Sequence, residues 1–275
     1  MSPTPQNSIP TAQILGDLAR QAGAITLNYF RKSFSLTEKS GDQGIVTEAD
    51  FASEKFIKFF IQNHYPHHTI LAEESGLTSA KNEAEAQPIW IIDPIDGTTN
   101  FSNGNPYYCI SIGFGFKSTD GRCQMHAGAI YQPATDLLYT AERGMGSFCN
   151  GEAMRVSDFR ELRASSVCTG FASAKNNKVQ AVLARIEKIQ NNCLGIRING
   201  AAALDLCHVA KGMFQAFVED HLSPWDLAAG SLIVSEAGGQ VLNLKGEEFD
   251  TLRDSGIICG NRAIIAELYT ILFKK

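Results

Sequence analysis

The chain has 275 residues, of which 44% are hydrophobic and 19% charged, with a formal net charge of −5. This composition is that of an ordinary globular protein with enough apolar side chain for a sizeable core. The negative balance disfavours nucleic-acid binding as the main role, because that binding depends on lysine and arginine neutralising phosphates. Residues 1–10 carry three prolines and predict a flexible tail. This segment lacks the basic and apolar blocks of a signal peptide. No apolar run reaches the roughly 20 residues that span a membrane.

The first part of the chain alternates helical patterns with polar breaks. Apolar residues at helical spacing predict a helix over 11–31. The polar, glycine-containing stretch 38–46 predicts a loop. Thr47 and Asp50 then have the spacing of a capping box, at the start of a second helix that continues to about residue 63.

Beyond the second helix the hydrophobic period becomes that of strands. Short apolar runs at 69–72 and 89–92 each end at a carboxylate. Strands then alternate with helices, which predicts an α/β layered architecture. No linker rich in Pro, Gly or Ser is present, so we predict one domain over 1–275, with halves of about 11–150 and 151–275. The other predicted elements are strands at 108–116, 124–131, 137–141, 166–170, 194–198, 214–218, 240–243 and 256–259, and helices at 176–190, 200–211, 226–237 and 261–273.

The most informative motif is the stretch 93–100, Asp-Pro-Ile-Asp-Gly-Thr-Thr-Asn. Asp93 follows a buried strand, where open α/β sheets place their ligands. Asp96 lies close to it, and carboxylates so near to each other repel unless a cation compensates. Oxygen ligands favour magnesium or manganese, and backbone N–H groups at Gly97 and Thr98 would bind an adjacent phosphate. The alternative is a tight turn, which an Asp-Gly pair often forms.

Further carboxylates occupy comparable positions. Glu73 directly follows the strand 69–72 and is a ligand candidate, whereas Glu74 is interpreted as a solvated residue. Asp226, in a Trp-Asp pair, is either an N-terminal helix cap or a metal ligand. Asp50 has the same structural alternative, as a capping-box carboxylate.

Together these motifs resemble the inositol monophosphatase family of lithium-sensitive, magnesium-dependent phosphatases. The resemblance covers nearly the whole chain. The segments that carry it are Lys39, 46–50, 73–75, 93–101, 141–144 and Trp225-Asp226.

The resemblance implies a five-layer αβαβα sandwich, as in inositol monophosphatase and fructose-1,6-bisphosphatase. It implies Mg²⁺-dependent hydrolysis of a small phosphate monoester, inositol 1-monophosphate above all, by a homodimer. The enzyme would use two or three magnesium ions, with Mn²⁺ as a substitute. The resemblance also implies a role for each site residue. The metal ligands would be Glu73, Asp93, the Ile95 carbonyl, Asp96 and Asp226, and the catalytic residues Asp50, Thr98 and Glu73. The substrate contacts would be Asp96, Gly97, Thr98, Ala202 and Glu219, with a loop contribution from Lys39.

Substrate choice is the open part of this interpretation. Glu219 lies seven residues before Asp226, as in the inositol-phosphate branch, but it could equally be a polar residue that ends a strand. Ala201 replaces the Ser or Thr usual in the family, and residues 102–104 replace a loop that often carries a histidine. Fructose 1,6-bisphosphate, 3′-phosphoadenosine 5′-phosphate, NADP and histidinol phosphate therefore remain alternatives.

A regulatory protein that binds transcription or ribosome-assembly machinery is the alternative of another class. The seven cysteines have no C-x-x-C spacing and predict reduced, buried thiols in a cytoplasmic protein. His64, His67 and His68 cluster at a helix end and in the following loop and are interpreted as surface residues. Oxygen ligands make histidine unnecessary at the metal site.

Overall fold

The structure, a computed structural model, describes residues 9–32, 36–38, 45–79, 86–171 and 179–274. Its helices are α1 (Ala12–Leu27), α2 (Glu48–His64), α3 (Thr98–Ser102), α4 (Val179–Gln190), α5 (Ala202–Ala210), α6 (Pro224–Glu236) and α7 (Arg262–Phe273). Its strands are β1 (Leu36–Glu38), β2 (Ile45–Thr47), β3 (Thr69–Ala72), β4 (Gly76–Thr78), β5 (Ala86–Asp96), β6 (Cys109–Ser118), β7 (Cys123–Gln132), β8 (Leu137–Glu142), β9 (Gly146–Cys149), β10 (Glu152–Ala153), β11 (Ser166–Cys168), β12 (Gly195–Arg197), β13 (Ala216–Glu219), β14 (Gln240–Asn243) and β15 (Ile257–Gly260).

Two sheets carry the architecture. The larger has eight strands in the order β10-β9-β8-β7-β6-β5-β3-β4, and the smaller has five in the order β12-β11-β13-β15-β14. Pairing is antiparallel except between β3 and β5, and between β11 and its neighbours β12 and β13. Because β3 and β5 run parallel, their carboxyl ends meet at one edge of the larger sheet.

The helices form layers around these sheets. α1 and α2 pack on one face of the eight-stranded sheet, where Leu15, Ile57 and Trp90 share a core. α5 and α6 lie between the two sheets. α4 and α7 cover the outer face of the five-stranded sheet. This is the αβαβα sandwich that the resemblance implied, and the prediction of the fold is confirmed.

Local signals explain where the first helices begin. Thr11 Oγ1 accepts the N–H of Ile14 at the start of α1. At α2 the predicted capping box is present, with Thr47 as the cap and Asp50 as its partner. The end of α1 was predicted too late, because the chain turns after Leu27.

Three other predictions need correction. The loop predicted at 38–46 borders two short paired strands, β1 and β2, and residues 39–44 lie outside the described part. The strand predicted at 89–92 continues through Asp96, with a shift in its pairing to β6 between the two aspartates. His68 is not a surface residue, since it is partly buried and its Nδ1 accepts the indole N–H of Trp90 at 3.0 Å.

Over the described ranges, no helix is both long and apolar enough to cross a membrane. All seven cysteines are free thiols, as predicted.

Candidate active site

The carboxylates of Asp93, Asp96 and Asp226 converge on one point. One oxygen from each lies within 4.8 Å of the other two. β5 supplies the first two, and the pairing shift between them lets both residues reach the same place. α6 supplies the third, in a capping box in which the N–H of Ser223 donates to Asp226 Oδ2 at 2.7 Å. The cap and the acidic cluster are therefore compatible roles for Asp226.

The cluster is electrostatically costly without a cation. Burial, and then the nearby charges of Glu73, Asp96 and Asp226, raise the pKa of Asp93 well above its ordinary value. Burial and the charge of Asp226 do the same to the pKa of Asp96. Buried carboxylates held at this spacing fit a divalent cation, and an all-oxygen set matches Mg²⁺ or Mn²⁺.

Glu73 joins the cluster because of the parallel pairing of β3 with β5. Ala72 is in register with Ile92, and the N–H of Glu73 donates to the Ile92 carbonyl at 3.1 Å. The Glu73 side chain accordingly lies close enough to Asp93 to hydrogen-bond with it and to raise its pKa. The structure thus brings together the four carboxylates that the resemblance placed on the metals.

Asp50 and Thr98 form a second pair beside the acidic cluster. Thr98 Oγ1 lies 3.1 Å from the Ile95 carbonyl oxygen and 3.4 Å from Asp50 Oδ1. Oδ2 of the same buried carboxylate accepts the hydroxyl of Thr47 at 2.5 Å and its backbone N–H at 2.9 Å. Because Oδ2 is held by the capping box, Oδ1 is directed at Thr98. The predicted catalytic pair and the predicted Ile95 ligand are therefore neighbours.

Asp96 also connects the eight-stranded sheet to helix α5. Its Oδ2 accepts the N–H of Ala203 at 2.7 Å. Ala201 is the N-cap residue of α5 and provides no side-chain cap, as the absence of a hydroxyl there predicts. The carboxylate of Asp96 thus accepts a hydrogen bond from a helix N–H group. A Ser or Thr at position 201 would be the usual acceptor for such a group. This contact brings Ala202, a predicted substrate contact, to the edge of the acidic cluster.

Gly97 is required where these segments meet. Its φ is 89°, in the left-handed region. A Cβ there would lie 3.0 Å from the Tyr107 carbonyl oxygen and 3.1 Å from Cβ of Ala201. Glycine is therefore needed for both the backbone turn and the close approach of residues 200–201.

Glu219 ends β13 and is 5% exposed. It lies against Gly170, where a Cβ would come within 2.3 Å of Oε1. Its position at the strand end was expected under both alternatives for this residue. Lys39, the predicted loop contributor, lies outside the described residues.

Two supporting groups were not found by sequence reasoning. On α2, the buried carboxylate of Glu54 accepts the N–H of Glu74 at 2.8 Å, which fixes the residue next to Glu73. On α3, Asn100 Nδ2 donates to the carbonyl oxygens of Tyr107 and Asn199, at 2.8 and 2.9 Å. The only signal for Glu54 in the sequence was its position four residues after Asp50, on the same helix face.

A buried hydrogen-bond network supports the loop before α5. The Tyr107 hydroxyl and the Asn199 amide both donate to Asp205 Oδ1, each at 2.6 Å. Burial raises the pKa of Asp205 to about 6, although both of these hydrogen bonds lower it. His208 Nδ1 lies 3.1 Å from the same tyrosine hydroxyl.

Comparison with known proteins identifies the family. The model of the inositol monophosphatase family matches residues 9–274. The chain belongs to the inositol monophosphatase family. Members of this family are metal-dependent phosphatases, and the chain is a phosphoric monoester hydrolase. The cluster of Asp93, Asp96 and Asp226 is the candidate metal site of this enzyme.

Its relatives in this family have different names. It is 36% identical to inositol monophosphatase 1 of Sus scrofa over 251 residues, covering 90% of this chain and 88% of that protein. It is 37% identical to the putative Nus factor SuhB of Neisseria meningitidis serogroup B, covering 86% and 87%. Among solved structures, an IMPase/NADP phosphatase complexed with Mg²⁺ and phosphate aligns with a TM-score of 0.78 at 26% identity, covering 93% of this chain and 92% of that one.

Proposed function

We propose that this protein hydrolyses inositol 1-monophosphate to inositol and phosphate in a Mg²⁺-dependent reaction. The observation that carries the proposal is the convergence of Asp93, Asp96 and Asp226 within 4.8 Å, beside the Asp50–Thr98 pair. The similar IMPase/NADP phosphatase, whose structure is a complex with Mg²⁺ and phosphate, supports Mg²⁺ as the ion. Glu73, the three aspartates and the Ile95 carbonyl are the groups that would hold two or three ions, with Mn²⁺ as a substitute.

The residues divide the chemistry between them. Bound cations supply charge stabilisation and a more acidic water molecule. Asp50 and Thr98 orient the attacking water, with Asp50 accepting its proton through Thr98. Gly97 and Thr98 contact the phosphate through the backbone and hydroxyl. No covalent phosphoenzyme is required, because the attacking group is water.

Glu219 supports a polyol as the leaving group. A buried carboxylate at the end of β13 can accept hydrogen bonds from sugar-like hydroxyls. Asp96 and the Ala202 backbone complete the proposed contacts at this side. The same chemistry on fructose 1,6-bisphosphate, 3′-phosphoadenosine 5′-phosphate, NADP or histidinol phosphate is the competing proposal.

Phosphate release from myo-inositol 1-phosphate tests the function. We expect release with Mg²⁺, none with EDTA, and inhibition by lithium. Asp93→Asn and Asp226→Asn should abolish release while circular dichroism stays unchanged. A panel containing the competing phosphates ranks the substrates, and a nucleotide turned over far faster than inositol phosphate would overturn the substrate assignment.

We also propose a cytoplasmic homodimer. Leu194 and Ile198 flank the edge strand β12 and are 70% and 46% exposed, which suits a surface covered by a second copy. A monomeric mass by light scattering would contradict the dimer. One relative is named a putative Nus factor, which raises the alternative of a purely regulatory role. We do not favour that role, because the chain keeps every acidic residue of the proposed metal-ligand set.

A further inference from the structure

A second pocket lies at the far end of α6 from the acidic cluster. It has a volume of about 540 Å³, and the segment 155–160 and the start of α7 form its walls. Gly238 lies on its rim, twelve residues after Asp226. α6 ends at Glu236, ten residues after Asp226, so at 1.5 Å per helical residue the pocket lies roughly 15 Å from the acidic cluster. A volume in this range is that of ordinary small-molecule sites.

The pocket is positively charged in a protein of net charge −5. Arg155, Arg160 and Arg262 line it, with Asp158 as the one acidic residue, so its formal charge is +2. Among the described residues, no carboxylate forms an ion pair with any of the three arginines. Unpaired guanidinium groups on one pocket are suited to phosphate, which they bind through paired N–H groups.

The pocket walls are fixed by hydrogen bonds that do not use the arginines. The N–H of Val156 donates to the Ala237 carbonyl at 3.1 Å, and the Asn261 side-chain amide donates to the Ser157 carbonyl. Asn261 Oδ1 accepts the N–H groups of Ala263 and Ile264, so the first turn of α7 is already capped. Two N–H groups of this turn are therefore already occupied, and the arginine side chains are the charged groups that a ligand would meet.

Phe159 adds an aromatic surface to this charge. It lines the same pocket between Asp158 and Arg160, and it is 41% exposed. An exposed ring next to guanidinium groups provides a stacking surface for a planar base. We propose that this pocket binds a nucleoside phosphate, with the arginines on the phosphates and Phe159 on the base. The size of the pocket favours a single free nucleotide over a nucleic-acid strand.

Titration calorimetry with ADP, in the presence of EDTA, tests the proposal on the full chain. Without metal the acidic cluster repels phosphate, so binding reports on the second pocket. We expect wild-type protein to bind ADP, and Arg155→Ala/Arg262→Ala to bind it at least roughly tenfold more weakly. Arg122→Ala, an exposed arginine paired with Asp120 elsewhere, is the matched control and should bind like wild type.

Further titrations test whether the base is recognised and whether the ligand is a free nucleotide or a nucleic acid. Phe159→Ala should weaken ADP binding and leave inorganic phosphate binding unchanged. A ten-nucleotide single-stranded RNA that bound much more tightly than ADP would make nucleic acid the source of the nucleotide. Inositol-phosphate hydrolysis with Mg²⁺ should be unchanged in the double variant, so the two proposals fail separately. No ADP binding by wild type, equal binding by the double variant, or equal affinity for ADP and phosphate would overturn the assignment.

Discussion

Gly170 lies directly against the carboxylate of Glu219. A Cβ at position 170 would come within 2.3 Å of Oε1 and 2.4 Å of Oε2, well inside normal contact distance. The atoms in the way are the end of a side chain, so the side chain and not the backbone would have to move. The absence of a side chain at 170 therefore sets the position of the proposed polyol-binding carboxylate.

Gly170→Ala is expected to displace Glu219 and weaken substrate binding. We expect KM for inositol 1-phosphate to rise about tenfold with a smaller change in kcat, because the acidic cluster is not touched. Steady-state kinetics and a thermal melt measure the two effects. Gly16→Ala is the matched control, since its Cβ would also meet a side-chain end, Leu138 Cδ2 at 3.0 Å, but far from the site. An unchanged KM in Gly170→Ala would remove Glu219 from substrate recognition.

Glu54→Ala is expected to weaken metal binding without removing a predicted ligand. Loss of the acceptor for the Glu74 N–H frees the turn that carries Glu73. Outer groups that orient ligands typically contribute tenfold or more to metal affinity, so we expect a loss of about tenfold. Calorimetric titration of Mg²⁺ without substrate measures it.

Glu54→Gln is the control, because its amide oxygen can still accept the same N–H. We expect it to bind Mg²⁺ nearly as wild type does. If the alanine and wild-type proteins bound Mg²⁺ equally, Glu54 would have only a packing role.

The sequence was informative where a signal is local. The capping box of Thr47 and Asp50 is three residues apart, and the acidic ends of 69–72 and 89–92 follow from short apolar runs. The capping box and Glu73 at the end of β3 were predicted correctly, whereas β5 continues through Asp93 to Asp96.

Contacts between distant residues were not predictable in this way. The Asp96–Ala203 hydrogen bond joins residues 107 positions apart, and nothing near Ala201 in the sequence indicates what replaces the missing cap. The role of Glu54 could not be predicted either, because its partner, the N–H of Glu74, lies in another part of the chain. The exposure of His68 was predicted wrongly, because its hydrogen-bond partner, Trp90, lies 22 residues away and is not indicated by the polar residues around it.

Asp50→Asn is expected to stop turnover and leave metal binding intact. The carboxylate Oδ1 lies 3.4 Å from Thr98 Oγ1, where a proton acceptor is needed and a carboxamide cannot serve. Loss of a general base typically costs 10²–10⁴-fold, so we expect kcat to fall by at least roughly 100-fold. Rapid-quench kinetics at saturating Mg²⁺ measures this fall.

Glu48→Gln is the control for that substitution, since it removes an exposed acid from the same helix turn. It should keep near-normal kcat. Turnover by Asp50→Asn within a few fold of wild type would remove Asp50 from proton transfer.

His68 makes stability depend on pH between about 4 and 6.5. Burial, and then the charge of His67, lower the pKa of His68 from 6.5 to about 4, and its Nδ1 must stay unprotonated to accept the Trp90 N–H. In that window the unfolded chain binds the proton and the folded one does not. Stability from the neutral ring is therefore complete above pH 6.5 and is lost as the pH falls towards 4.

Urea unfolding at pH 7 and pH 5 measures this loss in wild type and in His68→Gln, which keeps an acceptor but cannot be protonated. Since the ring is only partly buried, we expect wild type to lose about 1 kcal/mol more than the variant. His67→Gln removes only the smaller of the two causes of the lowered His68 pKa, so it should lose nearly as much stability as wild type. Contributions from other titrating groups, including His208, are common to all three proteins and cancel. Identical pH dependence in wild type and His68→Gln would mean that the ring is already protonated in the folded state or open to water.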